Sequence, residues 1–184
     1  MGTDIHIVAE FYNDERWLLA DVELPEYRNY WAFAVLADVR NGYGFAGFST
    51  GDPITPISEP RGLPDDMSPE LQYKLEHADD CDYNEWIWFG NHSFSWVTLR
   101  ELLDYDLDTP LTQRGMVDSQ TAQRFRNTGQ SPDSWTGFTT LPDHERIEWH
   151  GLIRQRVSLI TDLIDAIKDL GEPDHVRIVF GFDD

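Results

Sequence analysis

The stretch Thr3-Asp4-Ile5-His6-Ile7-Val8-Ala9-Glu10-Phe11 decides the reading of this chain. Ile5, Ile7, Ala9 and Phe11 fall on one side of an extended backbone, and Asp4, His6, Val8 and Glu10 on the other, a period of two that only a strand uses well. Asn13-Asp14-Glu15 supplies turn residues, and Trp17 to Val22 reads as the return strand of a hairpin. The far end of the chain repeats the pattern. Val176, Ile178, Phe180 and Phe182 alternate with His175, Arg177, Val179 and Gly181. Two terminal strands with one apolar face each predict an antiparallel sheet covered on that face by helices.

Between these strands, Tyr30 to Arg40 has the spacing of a buried helix with Asn29 as N-cap. Ser68-Pro69 opens a second helix, running to about Ala78. Thr98-Leu99-Arg100-Glu101 has capping-box spacing, which puts His92, Ser93 and Ser95 just before a helix N-terminus. Asp118 to Arg126 reads as a short helix, and the apolar positions from Asp143 to Leu170 predict one long helix ending at Gly171. Trp86 to Phe89 reads as a short aromatic strand. Residues 41–66 carry five glycines and four prolines and predict a long loop, often a functional feature in a compact domain. Residues 127–142 predict a second one. The fold class expected is therefore α+β, as a single domain over 1–184: an antiparallel sheet with the N-terminal hairpin and C-terminal strand, helices on one face and the Gly/Pro loop near the other.

Composition narrows the function. The 184 residues carry 34 acids against 14 basic residues, a net charge of -20, with 13% aromatic residues that argue against global disorder. Only Lys74 and Lys168 are lysines, so binding nucleic acid or an anionic membrane through a basic face is not expected. Half of the excess charge lies in residues 65–110, as a solvated face or as a nucleic-acid-mimicking surface for a basic host protein. Cys81 stands alone, which excludes an intrachain disulfide and a cysteine-based zinc site. No window approaches 18 consecutive apolar residues and no basic leader opens the chain, so a cytoplasmic protein is expected.

The polar side of the terminal strands groups Asp4, His6, Glu10 and Arg177. Positions i and i+2 on a strand lie about 6.6 Å apart, so Asp4 and His6 could share one divalent cation, with His92 as a third ligand and zinc, manganese or magnesium as its identity. Arg40 and Arg61 punctuate the Gly/Pro loop and suit a carboxylate or phosphate, or an internal acid. Nucleophilic serine chemistry at Ser93, a Walker loop, a dinucleotide fingerprint and a zinc-binding His-Glu-x-x-His helix all lack their spacing.

Met1-Gly2-Thr3-Asp4-Ile5-His6, Leu36-Ala37-Asp38-Val39-Arg40-Asn41-Gly42 with Gly44-Phe45-Ala46-Gly47, Ile57-Ser58-Glu59-Pro60-Arg61-Gly62-Leu63-Pro64, His92-Ser93 with Ser95-Trp96, and Val176-Arg177-Ile178-Val179-Phe180 together resemble a group of small uncharacterised bacteriophage and prophage proteins. Thr3 departs from the cysteine that the resemblance leads one to expect, and Gly181 from a tryptophan. The shared motifs fall on Asp4, His6, Arg40, Glu59, Arg61, His92 and Ser93, which implies a common small-ligand site.

Two functional classes follow as expectations. In the first, a phage-type accessory protein binds a small phosphorylated or nucleotide-like ligand, with Arg40, Arg61, Ser93 and Arg177 as ligand-binding residues. It either sequesters that ligand as a counter-defence protein or hydrolyses it, with a metal on Asp4, His6 and His92 and with His6, Glu10, Glu59 and His92 as catalytic groups. In the second, the acidic segment 65–110 inhibits a host protein.

Overall fold

The computed structural model describes residues 2–77 and 89–183. Strand β1 (Asp4–Asn13) turns back into β2 (Arg16–Leu19) through Asp14 and Glu15, at φ 48° and 66°. That pair of left-handed residues gives a two-residue hairpin turn the twist its strands require. The other edge of β1 pairs antiparallel with β6 (Val176–Asp183), from Asp4 opposite Asp183 to Phe11 opposite Val176. Beyond β6 lies β3 (His92–Thr98), so the sheet runs β2-β1-β6-β3.

The expected period of two sorts the layers. Ile5, Ile7 and Ala9 share a core with Val176, Ile178, Phe180 and Phe182, and against this face pack α1 (Tyr30–Ala37), α3 (Leu99–Asp104) and α5 (Ser158–Ile167). Asn29 caps α1 by accepting the Ala32 N–H at 3.0 Å, and α3 opens with a complete capping box between Thr98 and Glu101. Helix α1 stops at Ala37, three residues short of the expectation, because Asp38 turns left-handed at φ 60°. The opposite face is also covered. Val8 and Val179 pack with Leu71 of α2 (Pro69–Glu76) and with Phe89, below residues 60–67 of the Gly/Pro loop. Ser68 caps α2 through the Leu71 N–H.

One expectation fails clearly. Residues 143–170 do not form a single helix: β4 (Pro110–Asp118) and β5 (His144–Leu152) pair along nine residues, a 3-10 turn follows at Ile153–Gln155, and only α5 is α-helical. Ile147 and Trp149 are buried while Arg146, Glu148 and His150 are exposed, so the segment carries a period of two inside spacings that also fit a helix. The partner strand, with Leu111, Gln113 and Val117 buried in matching alternation, decides between the two. Helix α4 (Ser119–Thr128) follows β4 with Asp118 as N-cap. The first Gly/Pro loop holds one short 3-10 turn at Phe45–Gly47, bridges β4 through Gly51 and Gln113, and reaches β3 where Gly62 donates its N–H to the Phe94 carbonyl. Trp86 to Trp88 of the expected aromatic strand, Cys81, and the acids Asp79, Asp80 and Asp82 lie outside the described residues. Among the described residues no helix is long and apolar enough to cross a membrane.

Candidate functional site

At one end of the sheet, the start of β1, the C-terminus of α1 and the start of β3 enclose a cavity of about 510 Å³. Thr3, Asp38, Arg40, Glu59, His92 and Ser93 line it with Ala37, Val39 and Pro60. The local backbone explains how four separate segments converge. Between His92 opposite Phe182 and Ser95 opposite Phe180, β3 advances three residues against two on β6, a bulge that places Ser93 at φ 51°. Arg40, at φ 55°, is likewise left-handed. Non-glycine residues in that region carry a conformational cost that the surrounding packing must offset, and three of them, with Asp38, line this one cavity.

Hydrogen bonds fix the lining. Arg40 donates from Nε to Thr3 Oγ1 at 2.7 Å and lies 5.8 Å over the Tyr30 ring, whose hydroxyl accepts the Thr3 N–H at 3.3 Å. His92 Nδ1 lies 2.9 Å from Ser93 Oγ. Arg40, Glu59, His92 and Ser93, four of the residues marked from sequence, therefore share one cavity. Thr3 and Tyr30 were not marked. Thr3 could have been, since it is in phase with Ile5 and Ile7 and so belongs on the helix-covered side.

His6 and Asp4 go elsewhere, for a reason of register. His6 stands opposite Gly181, whereas His92 stands opposite Phe182, and consecutive residues of β6 point to opposite faces. The sheet therefore lies between the two imidazoles. His6 Nε2 contacts Asp183 Oδ2 at 3.2 Å, and Asp4 takes two hydrogen bonds from Arg28 at 2.9 and 2.7 Å. His6 lines a separate cavity of about 360 Å³ along the edge of β1 past the end of β2, where Glu26 accepts the Ile7 N–H. Among the described residues no three His, Cys, Asp or Glu side chains are grouped to hold a metal ion.

Glu10 and Arg177 pair as cross-strand neighbours but lie about 13 Å along the strand from His6. They are buried, at 0% and 2% exposure, where a solvated polar face was expected. Arg177 donates from Nε to Glu10 at 2.8 Å and from Nη1 to Asp66 at 2.7 Å, and lies 3.8 Å over the Trp17 ring. Glu10 also accepts the Ser68 N–H at 2.7 Å, which ties the start of α2 to the sheet. Burial opposes ionisation of Asp66, but the Arg177 guanidinium and the Trp17 indole hold its carboxyl below the ordinary range. Arg61 is likewise committed, to Glu101 by two hydrogen bonds and to the Trp96 face at 4.9 Å. Glu101 is pushed up by burial but held below its ordinary range by Arg61 and by the Thr98 N–H.

No family model, curated protein or solved structure matches the chain.

Proposed function

We propose that this chain is a phage-type accessory protein that holds a small phosphorylated, nucleotide-like ligand in the cavity of Thr3, Arg40, Glu59, His92 and Ser93. The observation that carries the reading is the convergence of four segments, two of them in costly left-handed conformations, on one volume in the range of small-molecule sites. The lining bears both signs. Arg40 suits the phosphate, while the Asp38 and Glu59 carboxylates suit the amino and hydroxyl donors of a base or sugar. A ligand with only negative charge would meet two acids and the carbonyl end of α1, so a mixed-polarity ligand fits better. Sequestration is favoured over metal-dependent hydrolysis, because the sheet stands between His6 and His92.

The test is a thermal-shift and calorimetric screen of nucleoside mono- and diphosphates, with and without magnesium or manganese. A ligand at about 100 times its Kd adds about 2.7 kcal/mol, which raises the melting temperature of a chain of this size by about 5–10 °C. Arg40→Ala and the exposed Glu59→Gln abolish that shift, whereas Arg61→Ala keeps it. No shift from any nucleotide, or a shift that survives both cavity substitutions, overturns the reading.

A further inference from the structure

Arginines in this acidic chain are usually neutralised by neighbours. Arg28, Arg61, Arg114, Arg126, Arg154 and Arg177 each have a carboxylate partner. Arg156, half-buried at the end of the turn after β5, has none among the described residues. Its guanidinium is nevertheless held rigidly, stacked 4.3 Å over the Trp135 ring and donating from Nε to Gln113 Oε1. Trp135 in turn meets Trp149 edge to face at 5.1 Å, and Trp149 is the cross-strand partner of Gln113.

Two donors of this cluster lack acceptors. Gln113 and Trp149 are each 1% exposed, and Gln113 Nε2 and Trp149 Nε1 have no hydrogen-bond partner among the described residues. Buried donors without acceptors are costly, and so is a desolvated cation without a counter-charge. Burial pushes the Arg156 guanidinium below its ordinary pKa, in the direction expected of a charge whose compensation is missing. Because Gln113 occupies Nε, the fork of Nη1 and Nη2 is the edge left for a ligand. That edge matches a carboxylate, which accepts two parallel N–H bonds.

We propose that Arg156, set on the Trp135 ring and positioned by Gln113, is a binding site for a small free carboxylate anion, separate from the cavity at Arg40. The ligand's two oxygens accept from Nη1 and Nη2. Gln113 is a positioning residue, which fixes the plane of the fork.

The experiment uses the full chain and follows the indole N–H resonances of Trp135 and Trp149 by NMR during titration with sodium acetate, sodium chloride serving as an equal-ionic-strength reference and sodium phosphate as a second arm. Acetate moves both indole signals along a saturating curve that chloride does not reproduce. Arg156→Lys keeps the charge but loses the fork, and weakens the apparent affinity at least fivefold; Gln113→Leu weakens it while leaving the fold's other resonances in place. Shifts equal to those of chloride, or an acetate curve unchanged in Arg156→Lys, overturn the proposal. Saturation by phosphate with acetate inert overturns the carboxylate assignment. None of these outcomes depends on the nucleotide screen at Arg40.

Discussion

Arg177→Met tests whether the Glu10–Arg177 network is a structural element or part of a ligand site. The substitution removes the donors to Glu10 and Asp66 and leaves a fully buried carboxylate whose remaining partner in this network is the Ser68 N–H. Breaking a buried pair from one side costs about 3–5 kcal/mol, against a total stability of about 5–15 kcal/mol for an ordinary domain. The contribution of Asp66 is small, because its side chain is 68% exposed and well screened. At roughly 2–4 °C per kcal/mol, the melting temperature falls by about 6–20 °C. Adding Glu10→Leu removes the stranded charge, so the double variant recovers most of the loss, less about 1 kcal/mol for the Ser68 N–H left without its acceptor. Urea unfolding followed by circular dichroism measures all three proteins. A loss under about 1 kcal/mol in the single variant, or a double variant no better than the single, refutes the structural assignment. Nucleotide stabilisation lost in folded Arg177→Met returns Arg177 to the binding site.

Glu101→Gln leaves the α3 capping box in place, because its amide oxygen still accepts the Thr98 N–H, but removes the charge that faces Arg61, and costs about 1 kcal/mol at neutral pH. Because the folded-state pKa of Glu101 lies below its unfolded value, that contribution is present above about pH 4.3 and disappears as pH falls through the folded value. The stability gap between the two proteins, read from denaturation series between pH 7 and 3, therefore narrows at the acid end; a constant gap contradicts the ionic contribution. Gly181→Ala would put a Cβ 2.1 Å from the Phe89 carbonyl oxygen and 2.7 Å from the Phe94 ring, and destabilises by about 3 kcal/mol or more in thermal unfolding. Phe33→Ala empties a fully buried position against Phe182 in α1 and costs about 3–5 kcal/mol in urea titration, with ligand binding in the cavity weakened as the C-terminus of α1 loosens.

The sheet was legible in the sequence because its signal is local. Ile5-His6-Ile7 and Val176 to Phe182 each state their own period, and the caps at Asn29, Ser68, Thr98 and Asp118 each need only three or four residues to be recognised. β5 reads as helix in the sequence because its evidence is not local: Ile147 and Trp149 alternate as in a strand, but the apolar positions from Leu152 to Ile167 that follow carry a helical spacing, and the deciding partner, β4, lies about 34 residues earlier. The same non-locality hid the burial of Glu10 and Arg177. Alternation placed them correctly on the side opposite Ile7, but nothing in β1 or β6 states that α2, residues 60–67 and Trp17 cover that side.

The candidate site shows how far single residues can be read and where register takes over. Arg40, Glu59, His92 and Ser93 were marked as chemistry-bearing residues and share a cavity, yet His6 and His92 were grouped when a one-residue offset on β6 puts them on opposite faces. That offset could not be read from β3, because the bulge after His92 adds a residue to one strand only and resets which side chains look inward. The bulge consequently does two things at once: it separates His92 from the Asp4–His6 face, and it turns Ser93 into the cavity beside Arg40. A deletion of Ser93 that straightened β3 would keep His92 opposite Phe182, with Phe94 opposite Gly181, and take the serine alone out of the cavity. Such a variant is expected to weaken nucleotide stabilisation while retaining the β1–β6 pairing, which amide hydrogen exchange at Ile7 and Phe180 would report. Ligand binding unchanged by the deletion would show that the bulge serves the packing of β3 alone.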